Sequence, residues 1–108
     1  MSRIDLPQGT LDLLVLRVLS AGEMHGWGIA QRLAMVSKES LQLQEGTLYP
    51  ALYRMEAKGW IKSAWAASDN NRRAKYYQLT RIGRKQLDAQ KESWARLTAV
   101  IAQVLLEG

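Results

Sequence analysis

Apolar positions recur along this chain with different spacings, and the changes of spacing mark its elements. Residues 11–21 are almost continuously apolar. At about 100° per residue, Leu11, Leu14, Val15 and Val18 share one helix face, while Leu13 and Leu16 lie on the other side. A helix apolar on two sides must be covered twice, once by its own domain and once by another element or chain. Thr10 is its expected N-cap and Gly22 the expected residue past its end. A second helix is predicted over 26–36, with Ile29, Leu33 and Val36 spaced by four and three. Residues 37–44 are polar and read as a turn. A third helix starts at Gly46 or Thr47 and runs to about Lys58, with Leu48, Leu52 and Met55 as its apolar face and Gly59 as its stop. Pro50 is acceptable there only within the first turn, where amides lack intrahelical partners.

Two strand-like stretches follow, 60–67 and 74–79, around the turn-rich basic segment 68–73. Tyr77 and Leu79 alternate on one strand face, as core residues do. Thr80 then caps a long helix running from Arg81 toward Leu106. The order is helix, helix–turn–helix, hairpin, helix. This is mainly α with a small β-hairpin. It predicts a winged helix-turn-helix domain over 1–80 and a C-terminal dimerisation helix over 81–108.

The last helix carries the reason for a dimer. Leu87, Trp94 and Ile101 recur every seven residues, and Leu97 and Val104 repeat at the same interval, offset by three. Gln90 holds the equivalent place one heptad earlier. With Leu105, these apolar residues fall within an arc of about 100°, a narrow seam of the kind that meets another helix. Each large apolar side chain buried gains about 1.5–3 kcal/mol, so leaving five or six in water forgoes on the order of 10 kcal/mol. A domain of this size has limited room to cover them. The expected homodimer interface is therefore Leu13 and Leu16 of the first helix with Leu87, Trp94, Leu97, Ile101, Val104 and Leu105.

Charge sharpens the picture. The chain of 108 residues has 15 Lys and Arg against 10 Asp and Glu, a net +5. From Arg54 to Lys85 nine bases stand against two acids, so this stretch carries 9 − 2 = +7 and the remainder 6 − 8 = −2. A solubilising charge has no reason to concentrate in this way, whereas a polyanion-binding surface does. The expected partner is double-stranded DNA. Its readers are Gln44, Thr47, Tyr49, Pro50, Tyr53 and Arg54 on the third helix, and Asn70, Asn71, Arg72, Arg73 and Lys75 on the wing. Tyr49 and Tyr53 can also be partly buried with only their hydroxyls exposed. Trp27, Trp60 and Trp65 are expected in core or hairpin packing, and His25 in a cap or packing role.

Composition also excludes chemistry. Cysteine is absent and histidine occurs once, which removes thiolate metal sites, disulfides, a Cys nucleophile and two-His ligand sets. There is no G-x-S-x-G and no Walker loop; Gly26-Trp27-Gly28 opens like a dinucleotide fingerprint but follows no predicted strand and reaches Gln31 where a glycine is needed. No enzyme, cofactor or metal is expected. The most apolar run, 11–19, is interrupted by Asp12 and Arg17 and is too short to span a bilayer. No basic leader precedes it beyond Arg3, so a cytoplasmic protein without membrane association is expected.

The motifs together resemble the PadR family of bacterial transcriptional regulators. Gly46-Thr47-Leu48-Tyr49-Pro50-Ala51-Leu52, Arg54-Met55-Glu56 and Gly59-Trp60-Ile61 carry the resemblance at the third helix. Arg72 through Thr80 carry it at the wing, and His25-Gly26-Trp27 at the second helix. A single helix after the wing is similar to the short subfamily. The resemblance implies a dimeric winged-helix regulator, usually a repressor that a small molecule releases from its operator. In multidrug-sensing short members a last-helix tryptophan lines a flat apolar pore between subunits, and Glu92-Ser93-Trp94 falls at the matching place. Two roles stay open for Trp94: interface packing, or stacking on a planar hydrophobic effector. The alternatives are a winged-helix regulator without an effector, or a winged-helix module that binds protein or RNA.

Overall fold

The computed structural model describes residue 6 and residues 9–108. The remaining residues, Arg3 among them, belong to the expected 1–80 unit but lie outside the described ones. The elements are α1 (Thr10–Leu19), β1 (Met24–His25), α2 (Gly26–Val36), α3 (Glu45–Ala57), β2 (Ile61–Ala67), β3 (Arg73–Leu79) and α4 (Arg81–Glu107). Three helices and the sheet pack around one core, in which Val15, Leu16, Ile29, Leu48, Leu52, Met55 and Ile61 are the most fully buried large side chains. The strands form one antiparallel sheet in the order β1-β3-β2. Among the described residues no helix is long and apolar enough to cross a membrane.

Several expectations need correction. Gly9, in the left-handed region at φ 91°, is the N-cap of α1, and Thr10 is already helical. α1 stops at Leu19, where Ser20 donates its hydroxyl to the Arg17 carbonyl at 2.6 Å. The sheet has a third strand that no sequence pattern predicts. Met24 and His25 pair with Tyr77 and Tyr76, a ladder too short to show any period. α3 starts at Glu45, so Pro50 is its sixth residue and sits in the second turn. The ring there removes the amide that would have bonded the Gly46 carbonyl. Val36 is exposed beyond the apolar face of α2, as are Trp27 and Trp65, which were expected to pack.

The two sides of α1 also resolve differently from the projection. Leu16 is 0% exposed in the core of its own chain, and Leu87 of α4 is 3% exposed there. Neither has surface left for a partner, so both leave the predicted dimer interface. The reason is that α1 is wrapped by α2, α3, β3 and the start of α4, more neighbours than one face could serve. Leu13 remains half-buried.

The junction at the end of α3 orients everything that follows. Gly59, at φ 79°, turns the chain out of the helix and into β2. Thr80 returns to the same point from β3. Its amide donates to the Trp60 carbonyl at 3.0 Å, and its hydroxyl lies 2.6 Å from the Gly59 carbonyl and 2.9 Å from that of Trp60. The Thr80 Oγ1 also accepts from the Gly83 amide at 3.0 Å, capping α4. A Cβ on Gly83 would fall inside the Trp60 carbonyl oxygen, which is backbone and cannot step aside.

α4 then leaves the core. Its 27 residues make a rod of about 40 Å. Only Gly83 and Leu87 are buried, and every residue from Lys91 onward is exposed. Loss of the Thr80 hydroxyl in Thr80→Ala is expected to cost about 1 kcal/mol. Gly83→Ala is expected to cost several times more, because α4 must shift against Trp60. Urea unfolding of both variants at one fixed protein concentration checks the order; an equal or smaller loss for Gly83→Ala would contradict it.

Candidate nucleic-acid interface

His25 and Tyr49 build the base of the surface. His25 is the extended N-cap of α2 and accepts the Gly28 amide on Nδ1 at 2.8 Å. Its ring lies 5.3 Å from that of Tyr76 and 6.1 Å from that of Trp27. A cap of this kind needs the Nδ1 lone pair, so His25 holds the start of α2 in place. Tyr49 of α3 lies across this helix start. A Cβ on Gly26 would come within 2.6–2.8 Å of the Tyr49 ring and hydroxyl. Glycine at 26 is therefore what lets the phenol of α3 rest against α2.

The other third-helix residues divide into two groups. Gln44 is the extended N-cap and makes no side-chain cap bond, and Thr47 and Pro50 are exposed in the turns above it. Tyr53 is exposed further along. Arg54 is exposed as well, with 47% of its side chain accessible, but its guanidinium also meets a residue of α1. It donates to the Asp12 carboxylate at 2.8 Å, and the Asp12 side chain is 8% exposed. Burial of a lone carboxylate is costly, so Arg54 serves first as the counter-ion that allows Asp12 inside α1. The pair joins α1 to α3 across 42 residues of chain, a distance at which no local pattern could reveal it.

Glu56 ties α3 to both wing strands. It accepts the Ser63 hydroxyl at 2.6 Å and lies 3.5 Å from the Lys75 ammonium. Behind it Tyr77 is buried, and burial, with Glu56 and Tyr49 nearby, holds its phenol above the usual range. It stays neutral and protonated at ordinary pH.

The wing register explains where its cations point. Ser63 pairs with Tyr77, Trp65 with Lys75 and Ala67 with Arg73. Side chains alternate across a strand, so these share the sheet face that begins in the core at Ile61 and Tyr77. As the hairpin leaves the core, that inner face changes from apolar packing to Trp65, Arg73 and Lys75. The turn at its tip is closed by its own bonds. The Ser68 amide donates to the Arg72 carbonyl at 2.6 Å and the Asn71 amide to the Ser68 carbonyl at 2.9 Å. Asn71 adopts φ 64°, which asparagine tolerates better than most residues. Asn70 accepts the Ser68 hydroxyl, while Arg72 and Arg73 are exposed.

Between the wing, the start of α2 and Tyr49 of α3 lies a cleft of about 620 Å³, lined by Trp27, Tyr49, Trp65, Arg72, Arg73 and Lys75 among others. The +7 of the sequence does not all face it. Arg54 pairs with Asp12 and Lys75 with Glu56, each with part of its side chain still exposed, and Lys58 lies 4.6 Å from the centre of the Trp60 ring. The expected dimer residues Trp94, Leu97, Ile101, Val104 and Leu105 lie on the projecting part of α4 and are all exposed. Val100 is exposed beside them and widens the strip.

Comparison with known proteins agrees with this architecture. The family model of the transcriptional regulator PadR-like family matches residues 15–89. A PadR family transcription regulator from Clostridium difficile is 37% identical, with a TM-score of 0.78 over 90% of this chain and 99% of that one. A transcriptional regulator from Clostridium thermocellum is 30% identical, with a TM-score of 0.82 over 89% of this chain and 93% of that one. The Mycobacterium tuberculosis transcriptional regulator Rv3488 is 29% identical over 86% of this chain and 83% of its own length. With a winged-helix head, a basic hairpin and a family match over most of its length, the chain belongs to the PadR-like family of transcriptional regulators.

Proposed function

We propose that this regulator works as a cytoplasmic homodimer on double-stranded DNA. The winged-helix head of residues 1–80 is the DNA-binding unit, and the helix of 81–108 brings two heads together. α3 enters the major groove with Gln44, Thr47, Tyr49, Pro50 and Tyr53 near the base edges. The wing lies along phosphates with Asn70, Asn71, Arg72, Arg73 and Lys75. The observation that carries this reading is a pairing of two surfaces. Tyr49 of α3 and the cations of the wing line one cleft, Gln44, Thr47, Pro50 and Tyr53 are exposed on α3 outside that lining, and the apolar strip of α4 is exposed to water. Arg81, Arg84 and Lys85, exposed outside the cleft lining, add positive charge to the head. They sit at the positive end of α4, where cations are unfavourable to the helix itself and favourable to a nearby polyanion.

Dimerisation follows from the strip. Trp94, Leu97, Ile101, Val104 and Leu105 of two copies cover each other, with Leu13 at the edge. Leu16 and Leu87 take no part. Two heads on a two-fold axis match half-sites about one helical turn apart, roughly 34–36 Å. Occupying such a site blocks transcription, which makes a repressor. A planar hydrophobic molecule stacking on the two Trp94 indoles changes how the two α4 helices cross and releases the DNA. Footprinting on the DNA upstream of the gene tests the reading as a whole. A protected two-fold element supports it, and absence of protection at low salt contradicts it.

Two variants test its parts. Arg72→Ala with Arg73→Ala is expected to weaken binding to all duplexes. It is also expected to flatten the plot of log affinity against log salt by about 0.9 for each phosphate no longer neutralised. An unchanged slope removes the wing from the phosphates. Ile101→Glu puts a charge in the middle of the strip. It is expected to convert the dimer to a folded monomer with an intact head by circular dichroism, and to lower operator affinity at least tenfold. Sedimentation and anisotropy read these together; a dimeric Ile101→Glu protein would place the interface elsewhere.

A further inference from the structure

Two of the four tryptophans stand in water on the same cleft. Trp27 is 63% exposed and Trp65 60%, although neither belongs to the apolar strip of α4. Trp27 projects from the first turn of α2 and Trp65 from the inner face of the wing, and both line the cleft. Around them are Arg72, Arg73 and Lys75, with Asp69 as the only acid among the lining residues. Arg73 lies 5.7 Å from the Trp65 ring, which holds the indole and a cation together at the wall. Lys75 lies over Tyr77 at the floor.

We propose that this cleft is the seat of one sugar–phosphate strand of the DNA, with Trp27 and Trp65 as its apolar jaws. The proposal rests on the DNA-binding reading above and extends it to residues that reading does not use. The reason is geometric. Neighbouring major and minor grooves of a duplex are separated by a single sugar–phosphate strand. An element in the major groove and a hairpin at the next groove must therefore stand on either side of that strand, which passes through the space between them. In this chain the cleft, walled by the wing, the start of α2 and Tyr49 of α3, offers that passage. A sugar–phosphate strand alternates an anionic phosphate with a deoxyribose whose carbon face is apolar. The lining holds both kinds of partner, guanidinium and ammonium groups and two exposed indoles. The net excess of cations over acids in the lining favours such a polyanion over a neutral guest. The indoles pack on deoxyribose and neutralise no charge, whereas the cations take the phosphates.

This division gives the two groups different signatures. Trp27→Ala and Trp65→Ala remove exposed side chains, so both proteins should fold with unchanged unfolding midpoints. Each is expected to weaken binding about tenfold, because apolar surface is no longer buried. The loss should be the same at every salt concentration and the same for the upstream duplex and an unrelated one. The slope against salt should stay that of the wild type, in contrast to the arginine variants. In the wild type, either duplex should shield indoles from acrylamide quenching, and Trp27→Phe/Trp65→Phe should remove that shielding.

The contrary outcomes are separable. Wild-type binding with undiminished affinity in Trp27→Ala and Trp65→Ala, or quenching unaltered by DNA, would overturn the proposal and leave the regulator reading standing. A loss confined to the upstream duplex would overturn it by making the indoles base readers. Quenching protection by naphthoate but not by duplex would assign the cleft to a flat aromatic anion instead. A wild-type protein that binds no duplex would overturn the regulator reading itself.

Discussion

The carbonyl group of Trp60 is the point on which the rest of the molecule turns. The Thr80 amide and hydroxyl meet it, and Gly83 packs against it so closely that no side chain fits between. Three elements converge there: the end of α3, the first strand of the wing and the start of α4. The angle between the helix start and the basic hairpin is thereby set at the same place as the direction in which the long helix departs. Glu56 adds a second tie between α3 and the wing through Ser63 and Lys75. A single residue, Thr80, separates the end of β3 from the start of α4, so no flexible linker intervenes. In the proposed dimer any change in how two α4 helices cross is carried directly into the spacing of two wings.

The same junction explains the division of labour along α4. Its first two turns belong to the head, through Gly83 and Leu87. Its remaining turns project with the apolar strip exposed. A seven-residue repeat that begins in the core of one chain and continues into water has one seam with two uses. Leu87 closes the domain, and Trp94 through Leu105 form the strip assigned to the proposed dimer. Asp12 shows the complementary economy in α1. It lies buried with Arg54 as its counter-ion, which gives α3 a fixed anchor on α1.

Periodicity made much of this fold legible. Ile29 and Leu33 placed α2, Leu48, Leu52 and Met55 placed α3, and Thr80 and Gly59 marked the turn of the chain, because helix faces and caps depend on near neighbours. The features that no pattern announces depend on distant ones. β1 exists only because Tyr76 and Tyr77 are there to pair with it. The burial of Leu16 reflects how many elements crowd α1, which no projection of a single helix contains. Trp27 and Trp65 look like core residues by type, and only the register of the wing and the start of α2 show that they face a cleft. The basic stretch was legible as charge, but its partition among an ion pair, a ring interaction and a wing required the structure.

In the proposed dimer, paired α4 helices hold two wings in one fixed relation. Because the chain has no cysteine, that relation can be measured cleanly. Asp69→Cys places one spin label at the exposed wing turn of each chain, and pulsed dipolar spectroscopy then measures the distance between labels. The expected result is a modulation depth corresponding to two spins per particle and a single narrow distance distribution. Absence of dipolar modulation in a folded protein, or a broad distribution with no preferred distance, would contradict the fixed pairing of the wings.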